Sequence, residues 1–225
     1  MKLLILSDIH YPEPYSMLYG EVIKRENPDH VVLLGDNIEG REARSGMLGL
    51  HEKFVKGYED FFQLRRTAYL LGDNDYDGGE SVPRFIARKR FMNKDPFSFR
   101  LGNMFFFHGN FEGRAAMGNG ALTNAIESVA ELAAKAARKA GHDLAPHMIE
   151  RMTKKGFDVG DSYLFLGHIH LLRRFGKTVF CGTLRKKEMV YPLSEGMGYV
   201  TVEHSRFIVK GGGIKLNRIG PPVMI

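Results

Sequence analysis

With one cysteine, Cys181, in 225 residues, the chain can form no disulfide within itself and cannot assemble a thiolate-rich zinc site. Such thiol poverty suits a reducing interior, and Cys181 reads as a structural residue. Long apolar runs are also missing, since no segment approaches the roughly 20 residues that a membrane-spanning helix needs. The opening Met1-Lys2-Leu3-Leu4-Ile5-Leu6 reaches Ser7-Asp8 too early to make the apolar heart of a secretory leader, so it reads as a first strand and a cytoplasmic location is expected. No phosphate-binding loop motif, nucleophile elbow or internal repeat is visible. Gly211-Gly212-Gly213 is too featureless to serve as a phosphate cradle.

What is present is the composition of a globular protein, 44% hydrophobic and 26% charged. The length fits one domain, residues 1–225, carrying an insertion. A net charge of +6 and a pI near 9.3 favour an anionic partner and admit both phosphate compounds and nucleic acid.

Five short apolar runs carry the chemistry. Leu3-Leu4-Ile5-Leu6 leads into Asp8-Ile9-His10, and Val31-Val32-Leu33-Leu34 into Gly35-Asp36-Asn37. Ala68-Tyr69-Leu70-Leu71 leads into Gly72-Asp73-Asn74-Asp75, Met104-Phe105-Phe106-Phe107 into His108-Gly109, and Tyr163-Leu164-Phe165-Leu166 into Gly167-His168-Ile169-His170. Apolar runs bounded by turn residues predict buried strands, and ligands of open α/β sheets gather beyond the carboxyl ends of such strands. A lone histidine after an apolar run is usually a satisfied, half-buried residue. Carboxylates and imidazoles at five similar termini are not explained that way, because charged groups are rarely buried unless paired or metal-bound. If the extended geometry persists, Asp8 with His10, and His168 with His170, share a face. Gly35, Gly72 and Gly167 then mark bends that need a positive φ or a close approach.

Between these runs, Ser16 is a candidate cap for a helix to about Glu26, and a second helix is expected from about Arg44 to Arg65 with Leu48, Phe54, Val55, Tyr58, Phe61 and Phe62 on its apolar face. The stretch from Gly78 to Arg100 interleaves Arg84, Arg88, Lys89, Arg90 and Lys94 with Phe85, Phe91, Phe97 and Phe99. It reads as a solvated helix face with its aromatics turned inward, or as a phosphate-backbone contact. Ala121 to Ala140 is rich in helix formers, with Gly141 as a stop and Pro146 opening another helix to about Lys155. The resulting helical hairpin, about 111–157, is expected to be an insertion, a lid or a contact surface for homo-oligomers, so that His142 and His147 are not ligands. After His170, Lys177 to Cys181, Met197 to Glu203 and Arg206 to Val209 predict strands.

In order and spacing the five blocks resemble the calcineurin-like metallophosphoesterase superfamily, whose pattern is D-x-H, G-D-x, G-N-H-[DE], a G-H or H-G pair, and G-H-x-H. Four of the five match. The resemblance implies a four-layer α/β/β/α sandwich of two mixed β-sheets. It also implies two divalent transition-metal ions, manganese first, with iron, zinc, nickel or cobalt also suited to oxygen and nitrogen donors. Asp8, His10 and His170 would hold one ion, His108 and His168 the other, and Asp36 would bridge them. Two ions about 3.5–4 Å apart can hold a hydroxide that attacks phosphorus in line.

The third block departs from the family pattern. Asp73 falls where the family has its asparagine ligand, which adds a carboxylate and, on Coulomb grounds, tightens metal binding while weakening anion attraction. Asn74 replaces the histidine that in relatives contacts phosphate and assists the leaving group, and an amide cannot be a general acid near neutral pH. The expected function is a phosphodiesterase or pyrophosphohydrolase, with Asn37 and Asn74 as phosphate hydrogen-bond donors and Arg173 or Arg174 as an anion clamp. The alternatives are a nuclease of the same fold and a non-catalytic scaffold for a protein partner.

Overall fold

Alternation within the strands decides the layering. The computed structural model describes residues 1–12, 18–39, 46–57, 66–75, 81–89, 91–93, 95–109, 133, 135–154, 161–185, 191, 193–206, 208–209 and 213–219. The first sheet, in the order β10-β9-β1-β2-β3, comprises Ile214–Arg218, Gly198–Glu203, Lys2–Leu6, His30–Leu34 and Arg66–Leu70. The second, in the order β4-β5-β6-β8-β7, comprises Ser98–Leu101, Met104–Phe107, Tyr163–Leu166, Thr178–Cys181 and Leu172–Phe175. In β1, Leu3 and Ile5 point into one apolar cluster, while Leu4 and Leu6 point into another. Phe165 of β6 joins Leu3 and Ile5, while Leu164 and Leu166 turn the other way. The shared cluster is therefore the seam where the two sheets face each other.

Helices close the outer faces. Leu18–Glu26 (α1), Met47–Gly57 (α2) and Ser81–Arg88 (α3) lay Tyr19, Ile23, Phe54, Val55, Val82 and Ile86 against the outer side of the first sheet. Leu144–Lys154 (α4) contributes Ala145 to the outer side of the second, and the short Leu193–Gly196 (α5) packs near β7. The four layers are thus α/β/β/α, as expected, and both sheets mix parallel with antiparallel pairs.

Local contacts set the helix boundaries: the first helix ends at Glu26, as expected, and others differ from the sequence reading. The first helix ends where Asn27 turns left-handed at φ 41° and its N–H caps the Ile23 carbonyl at 3.0 Å. The second helix is described from Met47 to Gly57, and residues 58–65 lie outside the described set, as does Ser16. The fourth begins at Leu144, two residues before Pro146, because Asp143 caps it by accepting the Ala145 N–H at 3.2 Å. Where a strand from Arg206 to Val209 is expected, Ser205 pairs with Ile208 in an isolated bridge, Arg206 is left-handed at φ 48°, and neither Arg206 nor Val209 is in a strand. The strands β4, β7 and β10 had not been expected.

In the basic stretch, Phe85, Phe91 and Phe97 pack on the outer core and Phe99 on the seam, while Arg84, Arg88 and Lys89 are exposed. Most of the expected 111–157 insertion lies outside the described residues, which include a helical stretch at 135–139 and α4. His142 and His147 are exposed. No helix among the described residues is long and apolar enough to cross a membrane.

Candidate metal centre

β1, β2 and β3 run parallel, as do β5 and β6, so their carboxyl ends deliver Asp8, Asp36, Asp73, His108 and His168 with His170 to one place. The chain does not stay extended there. Asp8 (φ 53°), His10 (φ 53°), Asp36 (φ 50°), His168 (φ 70°) and His170 (φ 52°) are all left-handed, which corrects the expectation of a simple two-residue alternation. Asp and His tolerate this region better than most side chains, yet each such residue costs on the order of 1 kcal/mol or more. Backbone pairing holds the exits: Asp8 N–H donates to Gly35 at 3.0 Å, His10 N–H to Asp36 at 2.9 Å and Tyr11 N–H to Asn37 at 2.9 Å. Gly35 has φ 91°, and a Cβ there would sit 2.6 Å from the ring of His108, so only glycine fits. At Gly167 an added Cβ would overlap the Ser7 hydroxyl.

The ligand-type atoms form three interlocking groups: Asp8 with His10 and His170, Asp73 with His108 and His168, and Asp8 with Asp36 and His108. Within each group they lie no more than 4.8 Å apart. Asp8 and His108 are fully buried, and His168 is the most open of the set, with 38% of its side chain accessible.

Hydrogen bonds fix which atoms face inward. The His10 Nδ1–H donates to Glu39 Oε2 at 2.9 Å, and the His108 Nδ1–H to the Leu34 carbonyl at 2.8 Å. Carbonyl and carboxylate oxygens only accept, so in each neutral ring Nε2 carries the lone pair. His108 Nε2 lies 3.4 Å from Asp36 Oδ1 and 3.4 Å from Asp73 Oδ1, buried and without a hydrogen-bond partner. Asp8 Oδ1 is likewise unpartnered, 3.2 Å from His170 Nε2, while the Ser7 hydroxyl and the His168 N–H hold Asp8 Oδ2. A lone pair facing carboxylates calls for a cation between them, either a proton or a metal ion.

The electrostatics say the same. Burial opposes charge on His108, but the Asp36 and Asp8 carboxylates raise it well above the ordinary imidazole range. Burial likewise opposes charge on His10 and His168, which Glu39 and Asp73 respectively raise. His170 goes down, because burial outweighs Asp8. Burial works to raise Asp8 and Asp73, yet their imidazole neighbours, His170 for Asp8 and His168 for Asp73, hold both below the usual carboxylate range.

Other residues singled out in the sequence have different surroundings. Asn37 is fully buried, and its amide donates to the Leu70 carbonyl at 2.7 Å and to Asp75 Oδ2 at 3.2 Å, so it faces the fold and not an incoming phosphate. Asn74 donates its backbone N–H to Asp36 Oδ1 at 2.9 Å and its side-chain Nδ2 to Asp36 Oδ2 at 2.6 Å. That commits Asn74 to positioning a carboxylate and away from acting as a phosphate donor. Arg173 bridges Asp143 and Glu195 at 2.8 Å each, and Arg174 donates to the Gly176 carbonyl at 2.8 Å while covering the Tyr163 ring, so neither guanidinium is arranged as an anion clamp.

Sequence reasoning passed over Glu39, Arg185 and Asp75. Arg185 Nη2 pairs with Glu39 Oε2 at 2.9 Å, which ties a guanidinium to the carboxylate that orients His10. Neither Glu39 nor Arg185 carries a motif signal. Asp75 is fully buried, and burial together with the Asp36 charge pushes its carboxyl up to about 7. It occupies the bracketed acid position of the family pattern, and that was the available clue.

A sequence profile of the calcineurin-like phosphoesterases matches residues 1–172. No curated protein matches the chain. Among solved structures, one described as a novel archaeal phosphodiesterase aligns over 96% of this chain and 99% of its own, with 15% sequence identity and a TM-score of 0.48.

Proposed function

The chain belongs to the calcineurin-like phosphoesterases, metal-dependent hydrolases of phosphate esters, and on that premise we propose that it cleaves phosphodiesters or phosphoanhydrides in preference to alkyl phosphomonoesters. The observation that carries the metal-dependent part is the buried, unpartnered Nε2 of His108, 3.4 Å from each of two carboxylates. Asp8, His10 and His170 would hold one divalent ion, Asp73, His108 and His168 a second, with Asp36 shared between them. Two such ions supply Lewis-acid polarisation of a phosphoryl group and generate a nucleophile at neutral pH.

The preference for diesters follows from charge. With Asp73 in place of an amide, three carboxylates face the two ions, so the centre keeps less positive charge for an incoming anion. A monoester carries about −1.5 to −2 charges near pH 7 whereas a diester carries one, so the monoester loses more of its attraction. Asn74 offers no acid to the departing oxygen and is turned toward Asp36. An activated or already stable leaving group, as in a diester of an acidic alcohol or a pyrophosphate, suits such a site. A scaffold freed from metal has no physical reason to retain unpartnered buried nitrogens and oxygens of this kind.

The test is a panel assay on protein stripped and reloaded with manganese, nickel or zinc. Diesters, nucleotide pyrophosphates, monoesters and single-stranded DNA are offered at equal concentration. Turnover of diesters or pyrophosphates that disappears with the metal supports the reading. Turnover confined to monoesters overturns it, and DNA cleavage whose affinity falls steeply with salt would identify a nuclease.

A further inference from the structure

Behind the metal cluster a chain of buried polar groups runs from the outer helix layer to the exit of β3. His51 of α2, Tyr69 of β3 and Asp75 are each 0% exposed. His51 Nε2 lies 2.9 Å from the Asp75 backbone carbonyl, and His51 Nδ1 lies 2.8 Å from the Tyr69 hydroxyl. A carbonyl can only accept, so in the neutral ring the proton sits on Nε2, Nδ1 accepts, and the Tyr69 hydroxyl donates. Burial and the Asp75 charge hold the Tyr69 phenol well above its usual range, which keeps it a donor.

The far side of the same residue is tied as well. The Asp75 carboxylate accepts the Gly72 N–H at 3.0 Å, the Ile38 N–H at 2.8 Å and the Asn37 amide at 3.2 Å. The corner from Gly72 to Asp75 is therefore pinned at both ends, by the Asp75 carboxylate at its start and by His51 at its closing carbonyl. Between the pins stand the two residues by which this chain departs from its family's pattern. Asp73 Oδ1 is 3.2 Å from His168 Nδ1 and 3.4 Å from His108 Nε2, and Asn74 grips both oxygens of Asp36.

From this geometry we infer that His51 is a positioning residue for the metal centre, setting the Asp73-Asn74 corner and through it the affinity for the ion held by Asp73, His108 and His168. A buried imidazole on the apolar face of α2 would otherwise be an expensive way to fill space, because it needs partners on both nitrogens. The ion held by Asp8, His10 and His170 meets the corner only through Asp36, which Asn74 orients, and is weakened less. The inference rests on the metal-dependent reading above, and the experiment separates the two.

Manganese alone is titrated calorimetrically into metal-free wild type, His51→Leu, His51→Gln and Tyr69→Phe, with thermal unfolding recorded for each. Wild type takes up two ions. His51→Leu weakens one ion by about 10–100-fold, the usual cost of losing a residue behind a ligand, and the other by a clearly smaller factor. His51→Gln restores most of the lost affinity, since a glutamine amide can donate to the Asp75 carbonyl and accept from Tyr69. Tyr69→Phe, which keeps the core filled should His51→Leu fail to fold, weakens the same ion by a smaller factor. Equal weakening of both ions in step with lost thermal stability, unchanged affinity in both Leu and Phe variants, or no rescue by glutamine overturns the role of His51. Wild type binding no manganese would instead sink the metal-dependent reading itself.

Discussion

Asn74 holds Asp36 at both carboxylate oxygens, through its backbone N–H at 2.9 Å and its side-chain amide at 2.6 Å. The residue at the histidine position of the family pattern thus orients the Asp36 carboxylate, and on the proposed mechanism its amide has no proton to give the leaving group. Rates on aryl and alkyl phosphodiesters are expected to fall steeply as leaving-group pKa rises, since a positioned acid is commonly worth about 10²–10⁴ in rate. Asn74→His should flatten that slope. Because Asp73 also lowers the charge of the centre, Asp73→Asn combined with Asn74→His separates the two effects. Equal wild-type rates across the series, with chemistry limiting, would show that another group supplies the proton.

Glu39 orients His10 and is itself paired with Arg185. Glu39→Ala removes the acceptor that fixes the His10 tautomer, and it should cost about 10–100-fold in affinity for one ion only. Calorimetric titration with manganese resolves the two binding steps. A variant that binds both ions as wild type does would leave Glu39 without this role.

Protonation gives a signed pH dependence. His10, His108 and His168 are raised from the ordinary 6.5, so in the metal-free protein their favourable pairing is fully present below that value and is lost as pH rises through the raised ones. Metal-free protein should lose stability as pH rises above about 6.5, while metal-loaded protein holds it, because an ion then replaces the protons. Calorimetry in buffers of different ionisation enthalpy should record proton release on manganese binding at pH 7. Affinity independent of pH with no proton released would contradict the assignment.

Gly35 combines φ 91° with a wall made by the His108 ring. Gly35→Ala should destabilise by about 2 kcal/mol or more, from the left-handed backbone and from overpacking together. Urea unfolding measures this, and a change under about 0.5 kcal/mol would mean the corner can relax.

Four of the five strands that carry chemistry were legible because they lie inside the sheets, and β3, at an edge, was legible because all of it but Arg66 is buried. β1, β2 and β6 are covered on both faces, so they read as uninterrupted apolar runs whose polar ends stand out. The missed strands β4, β7 and β10 are sheet edges, where Arg100, Arg173, Arg174, Lys215 and Arg218 break the apolar signal. Charge on an edge guards against further pairing, and it also hides the strand from a hydrophobicity reading. At the site, sequence spacing pointed to side chains that the fold gathers in one place but could not show the left-handed turns that aim them. It could not show direction either: Asn37, Asn74 and Arg173 have the chemistry of phosphate donors, and only tertiary contacts reveal that each is turned to another partner. His51 falls on the same helical stripe as Phe54 and Val55, where a lone histidine among apolar neighbours was the one available sign.

On the proposed reading the donor set divides into two groups sharing Asp36. Anomalous diffraction from crystals loaded with excess manganese tests it most directly. Two peaks per chain are predicted, one among Asp8, His10 and His170 and the other among Asp73, His108 and His168, with Asp36→Ala losing at least one. A single peak, no peak, or both ions retained by Asp36→Ala would contradict it.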